Sequence, residues 1–140
     1  MNEPQVYLNG KFIPASEAAI PIYDKGIVMG ATVTEMTRTY HQKLFRLDDH
    51  LDRLYRSLKY TRIDPGLSKG ELAEASTELA ETNSELTGEE LGLIHFITAG
   101  KVSRYAGRPL TDEENTPTVC VHTFPLELSY FGDAMRNGYH

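Results

Sequence analysis

His50, Arg53 and Ser57 stand three and four residues apart in "HLDRLYRSL", so one helical face carries an imidazole, a guanidinium and a hydroxyl. The guanidinium has the most chemistry to offer. Its planar fork can take two oxygens of a phosphate or carboxylate through charge-assisted bonds that are stronger than neutral ones. The plainer use of Arg53 is a surface pair with Asp49 or Asp52, which contributes at most about 1 kcal/mol. Upstream, "TVTEMTRTY" supplies Glu35 and Arg38. Glu35 could serve as an acid or base, or it could be held by Arg38 or a neighbouring backbone amide.

Other reactive side chains read as structural. Cys120 sits inside the apolar run "TVCVHTF" and is expected to pack as a small core residue. His95 and His122 lie on strand-like runs without Cys, Asp or Glu at ligand spacing, so no metal site is expected. Arg104 and Arg108 lie in a polar loop from which they could reach a carboxylate, although solvation is the simpler reading. Gly26 and Gly30 form no phosphate-binding motif and serve turns.

The elements that position these groups follow from local pattern. Asn9-Gly10 between two apolar arms signals a β-hairpin with a type I′ turn. Residues 14–30 are broken by Pro14, Pro21, Gly26 and Gly30, which reads as irregular chain along a surface or cleft. In "TVTEMTRTY" period two puts Thr34, Met36, Arg38 and Tyr40 on one face and Val33, Glu35, Thr37 and Thr39 on the other. His41-Gln42 then turns the chain into a second strand, "KLFRL". Asp48 can cap a helix over 48–60, whose Leu51, Leu54, Tyr55 and Leu58 form one apolar stripe. After the "DPG" break at 64–66, Ser68 and Glu71 form a capping box for a second helix with Leu72, Ala75 and Leu79 inward. "LGLIHFITAG" reads as a central strand covered on both sides, "TVCVHTF" as another strand, and residues 101–117 as a long exposed loop.

At 140 residues, with 40% apolar and 24% charged content, the chain suits one packed domain. A net charge of −6 argues against a nucleic-acid surface, which needs clustered basic residues. One cysteine permits no internal disulfide, and the start lacks the pattern of a secretory signal. No apolar run approaches membrane-spanning length, so a cytoplasmic location is expected.

Four stretches carry a family resemblance. "VYLNGKFIP", "DKGIVMGATVTEMTR", "LFRLDDHLDRLYRSL" and "LIHFITAG" are similar to the amino-terminal half of the class IV aminotransferases. These pyridoxal-phosphate enzymes include branched-chain and D-amino acid aminotransferases and aminodeoxychorismate lyase. The likeness runs from about residue 6 to about residue 125, and its most specific parts are the Glu35/Arg38 strand and the "HLDRLYRS" helix. It implies an α/β domain of the α+β type, with a small, mostly antiparallel sheet on two helices, in an enzyme that forms homodimers. It also implies that Arg53 contacts the phosphate of pyridoxal 5′-phosphate, while Thr34, Arg38 and the loop around Met29 line the substrate side.

Thr34 stands where branched-chain enzymes commonly have an aromatic residue, and Met29 replaces a usual tyrosine. Ile94 and Ala99 occupy the places where some relatives have carboxylate-binding arginines. The family's cofactor-bearing lysine belongs to a second domain. Lys11, Lys25, Lys43, Lys59, Lys69 and Lys101 match none of its context, so no catalytic residue is assigned. Residues 6–125 are expected to form the domain, and residues 126–140 a strand end and crossover toward a second one.

The implied function is the amino-terminal part of an aminotransferase acting on an amino acid, branched-chain first, and a 2-oxo acid. Alone, the chain is expected to be inactive and to expose apolar surface where a partner would sit. The alternatives are a non-catalytic dimerisation or ligand-binding module, a related lyase, or a D-amino acid aminotransferase.

Overall fold

Asn9 and Gly10 take positive φ values of 50° and 86° and fold β1 (Gln5–Leu8) onto β2 (Lys11–Pro14), as a type I′ turn requires. The structure is a computed structural model that describes residues 3–138, apart from the side chains at 130 and 131; residues 139–140 of the expected crossover lie outside it. The hairpin edges a six-stranded sheet of order β2-β1-β6-β5-β3-β4, with β3 at Thr32–Tyr40, β4 at Lys43–Leu44, β5 at Leu91–Thr98 and β6 at Val119–Pro125. Every neighbouring pair runs antiparallel.

One sheet face is sealed by α2 (Leu47–Thr61) and α3 (Lys69–Thr87). Leu51, Leu54 and Leu58 of α2 and Leu72 and Leu79 of α3 close on Val33, Leu93, Ile97, Val119 and Val121. Burial of each such side chain stabilises the fold by about 1.5–3 kcal/mol. The expected capping box opens α3: Glu71 N donates to Ser68 Oγ at 3.2 Å, and Ser68 N donates to Glu71 Oε2 at 2.7 Å.

Several expectations are corrected. Helix α2 starts at Leu47 behind a left-handed Arg46 with no side-chain cap, so Asp48 does not cap it. Asp48 and Asp49 lie in its first turn, where they offset the helix dipole instead. The strand expected over "KLFRL" shrinks to Lys43–Leu44. Its turn places both His41 and Gln42 at positive φ, and Glu90 accepts bonds from Thr39 Oγ1 and Gln42 N. Within 14–30, the irregular chain contains a single 3-10 turn and a short α1 (Lys25–Met29). Residues 126–140, expected as a strand end and crossover, hold a helix α4 (Leu128–Asn137).

Strand β5 is central but not covered equally on both sides. Leu91, Leu93, His95 and Ile97 face the helices and are buried, whereas Ile94 and Phe96 on the opposite face are half-buried. On that second face Gly92 opposes Phe124, and a Cβ at Gly92 would lie 2.3 Å from the Phe124 ring. The absence of a side chain at 92 therefore lets the tip of the ring fill the space where a Cβ would stand.

Candidate functional site

The alternation of β3 sends Glu35 toward the helices, where α2 presents its His50/Arg53 edge. Arg53 Nε donates to Glu35 Oε2 at 2.7 Å and Nη2 donates to Oε1 at 2.5 Å. His50 Nδ1 stands 2.8 Å from Oε1, and Met36 N donates to the same oxygen at 3.1 Å. The Glu35 side chain is 5% exposed and that of Arg53 is 62% exposed, so the pair has a sealed acidic end and an open basic end. The Arg53 bond, with help from His50, holds the Glu35 carboxyl down at about 2 against the upward push of burial. Glu35 in turn raises the pKa of Arg53.

Neither surface partner expected for Arg53 is used, because Asp49 pairs with Arg46 and Asp52 with Lys69, each at 2.7 Å. Nor does Glu35 meet Arg38, which lies on the other strand face; only the neighbouring amide of Met36 answers that reading. Of the five N–H groups of a guanidinium, Glu35 takes Nε and one on Nη2, and among the described residues the terminal edge of Arg53 meets only His50 Nδ1, 3.4 Å from Nη2. A fork of free donors at the solvent side is the donor set that a phosphate or carboxylate requires. Ser57, one turn further on, is half-buried.

On the opposite face of β3, Thr34 is exposed and Arg38 is half-buried with Nε bonded to Thr39 O at 2.9 Å. Among the described residues, Arg38 and His50 supply the ionisable groups of a groove of about 500 Å³, whose other walls include Met36, Phe45, Phe124, Leu128 and Met135. Ligand clefts commonly have about 300–1,000 Å³ and this apolar character with few polar groups. His50 thus touches both the groove and the Glu35/Arg53 pair. Thr34 and Met29 do not line it, and Met29 stands 61% exposed at the end of α1.

His95 opposes Glu35 across β3 and β5 and is fully buried. Ser76 Oγ donates to Leu72 O at 2.6 Å, so at 2.8 Å it accepts from His95 Nε2, and burial pushes the imidazole down to about 4. The thiol of Cys120 is buried in β6 and raised to about 11 by burial, as befits a core residue. Arg108 is consumed by Glu114 within its own loop, and Arg104 lies in an exposed 3-10 turn. Gly30 caps α1 with φ 68°, whereas Gly26 marks a close approach, since a Cβ there would meet Thr98 Cγ2 at 2.6 Å.

Sequence reasoning missed two organising carboxylates. Local pattern gives Glu35 no link to α2, although its inward strand phase is readable. Asp24 went unnoticed: fully buried, it accepts from Gly26 N, Thr98 Oγ1 and Thr118 Oγ1 and ties α1 to the ends of β5 and β6. Its signal was an Asp two residues before a Gly. Among the described residues, no group of three His, Cys, Asp or Glu side chains could hold a metal ion, and no helix is long and apolar enough to cross a membrane.

Comparison with known proteins gives a consistent result. The family model for class IV amino-transferases matches residues 32–135. D-alanine aminotransferase of Bacillus licheniformis is 37% identical over 125 residues, which cover 88% of this chain and 41% of that protein. The branched-chain amino acid aminotransferase from Escherichia coli superposes with a TM-score of 0.73 at 25% identity, covering 89% of this chain and 41% of the other. A second branched-chain amino acid aminotransferase, solved with pyridoxamine 5′-phosphate, gives a TM-score of 0.71 at 25% identity, with the same coverage. The chain spans about two fifths of the length of these proteins.

Proposed function

Since the chain belongs to the class IV aminotransferases, we propose that it supplies the phosphate-holding, amino-terminal part of a pyridoxal-phosphate-dependent enzyme exchanging an amino group between an amino acid and a 2-oxo acid. The observation that carries this reading is the Arg53 guanidinium, anchored along one edge by buried Glu35 and free along the other. The relative solved with pyridoxamine 5′-phosphate supports the choice of ligand. Pyridoxal phosphate supplies the electron sink for the carbon that loses its amino group. Arg53 would hold its phosphate through charge-assisted bonds, and Glu35 and His50 would keep that arginine in place.

Arg38 would meet a substrate carboxylate beside the apolar groove, with Thr34 and Met29 shaping the approach from the exposed side. The covalent lysine is assigned to none of this chain's lysines. Lys69 pairs with Asp52, Lys25 and Lys101 bond to backbone carbonyls, and Lys11, Lys43 and Lys59 are exposed. We take residues 6–125 as the domain and 126–140 as its link to a second one. The protein is proposed to work in the cytoplasm as a homodimer, with exposed Ile27, Met29 and Met36 as candidate apolar contacts.

Apolar walls around Arg38 support a branched-chain substrate, while the 37%-identical D-alanine aminotransferase supports a D-amino acid. Assay of the complete enzyme that contains this chain with L-leucine and D-alanine against 2-oxoglutarate decides between them, and inactivity with both, together with pyruvate release from aminodeoxychorismate, would mark a lyase. A non-catalytic module is disfavoured by the aminotransferase relatives. The phosphate role is tested by Arg53→Ala, which should weaken pyridoxamine 5′-phosphate binding about tenfold or more; unchanged affinity refutes it.

A further inference from the structure

The Glu35 carboxylate lies against Arg53 along the Nε/Nη2 edge, at 2.7 and 2.5 Å. A guanidinium has a second forked edge, formed by its two terminal nitrogens, and among the described residues this one meets only His50 Nδ1, 3.4 Å from Nη2. Resting on the phosphate reading above, we infer that Glu35 is a positioning residue: it fixes Arg53 so that an anion meets only the terminal Nη edge.

Glu35 is suited to this because it cannot wander. It is 7% exposed, its strand is paired with β5 from Thr32 to Arg38, and its Oε1 also meets Met36 N and His50 Nδ1. Arg53, by contrast, is 62% exposed on a long side chain, and its further side-chain contact is His50 Nδ1 at 3.4 Å. Electrostatics alone would give Glu35 the opposite role. A carboxylate beside an anion site repels the anion, so a purely coulombic site tightens when Glu35 loses its charge. An orienting carboxylate predicts the reverse sign, because a freely rotating arginine must be ordered again at each binding event. The two accounts therefore separate on a single substitution.

The experiment uses the isotopically labelled chain and pyridoxamine 5′-phosphate, which carries the phosphate but no aldehyde to react with surface lysines. Glu35→Gln should weaken binding roughly fivefold or more, Arg53→Ala at least as much, and Glu81→Gln, an equal charge change on the exposed side of α3, not at all. The Nε–Hε resonance of Arg53 should be protected from exchange in the wild-type chain and averaged in Glu35→Gln, with the β3 and β5 amides unmoved. If Glu35→Gln binds as well as wild type while Arg53→Ala weakens binding, the positioning role falls and the phosphate reading stands. If Arg53→Ala binds like wild type, or the wild-type chain does not bind, the phosphate reading falls and takes this inference with it. Should Glu35→Gln fail to fold, Arg53→Lys decides, since it keeps the charge but cannot fill the fork; wild-type affinity in that variant overturns the positioning role.

Discussion

Two arginines in this chain hold a glutamate with both arms, and they hold it differently. Arg108 meets Glu114 through Nη1 and Nη2, at 2.9 and 2.5 Å, so its terminal edge is spent. Arg53 meets Glu35 through Nε and Nη2 and keeps that edge. Both carboxyls are held near 2, chiefly by the arginine bond. Yet the Glu35 side chain is 5% exposed and joins a strand to a helix, while that of Glu114 is 35% exposed and staples a loop to itself. Ion-pair geometry alone therefore does not mark a binding site. The open edge and the burial of the partner are what the phosphate role proposed for Arg53 rests on.

The largest test of this contrast is stability. Arg53→Ala strands a buried carboxylate and should lower the thermal midpoint by roughly 5 °C or more. Arg108→Ala, whose glutamate returns to water, should move the midpoint by about 1 °C or less. Equal losses, read by calorimetry, would erase the distinction.

Acid titration gives the next largest effect. A carboxyl held below its unfolded value contributes stability above that value and loses it as pH falls toward the folded one. For Glu35 the window runs from 4.5 down to about 2. Glu35→Gln should flatten the fall in urea midpoint across this window, and Glu114→Gln should barely change it, because solvent screens that pair. His95, pushed from 6.5 down to about 4, acts at higher pH with the same sign. Its neutral form stabilises the fold above 6.5, and this contribution, on the order of 3 kcal/mol, fades between 6.5 and 4. A stability curve flat across that range would contradict the buried imidazole. The smallest effect is that of salt: about 1 M NaCl should speed side-chain exchange at Arg108 more than at Arg53, as read from guanidinium resonances.

What the sequence disclosed was local. The Asn9-Gly10 turn, the Ser68/Glu71 box and the Leu51/Leu54/Leu58 stripe each depend on residues within a few positions, and each stands as read. The parity of β3 was also legible, with Glu35, Thr37 and Thr39 buried together. Glu35 and Arg53, however, are 18 residues apart, and their pairing depends on how α2 crosses β3. Likewise His41 and Gln42 turn without Gly or Asn because Glu90, 48 residues beyond Gln42, holds the turn. Helix α4 was hidden by Gly132 inside its run and by the strand expected there. The roles proposed for Arg53, Arg38, Thr34 and Met29 rest on family likeness, because a ligand's place on a surface leaves no periodic trace in the residues that meet it.

Phe124 lying on bare Gly92 has a consequence for how the chain assembles. If β6 slid by two residues along β5, the ring would land against the side chain of Ile94 or Glu90 instead of open backbone. Misaligned pairings of the two central strands are thus penalised sterically, and one missing methyl acts as a proofreading notch for the ladder on which the rest of the sheet is laid.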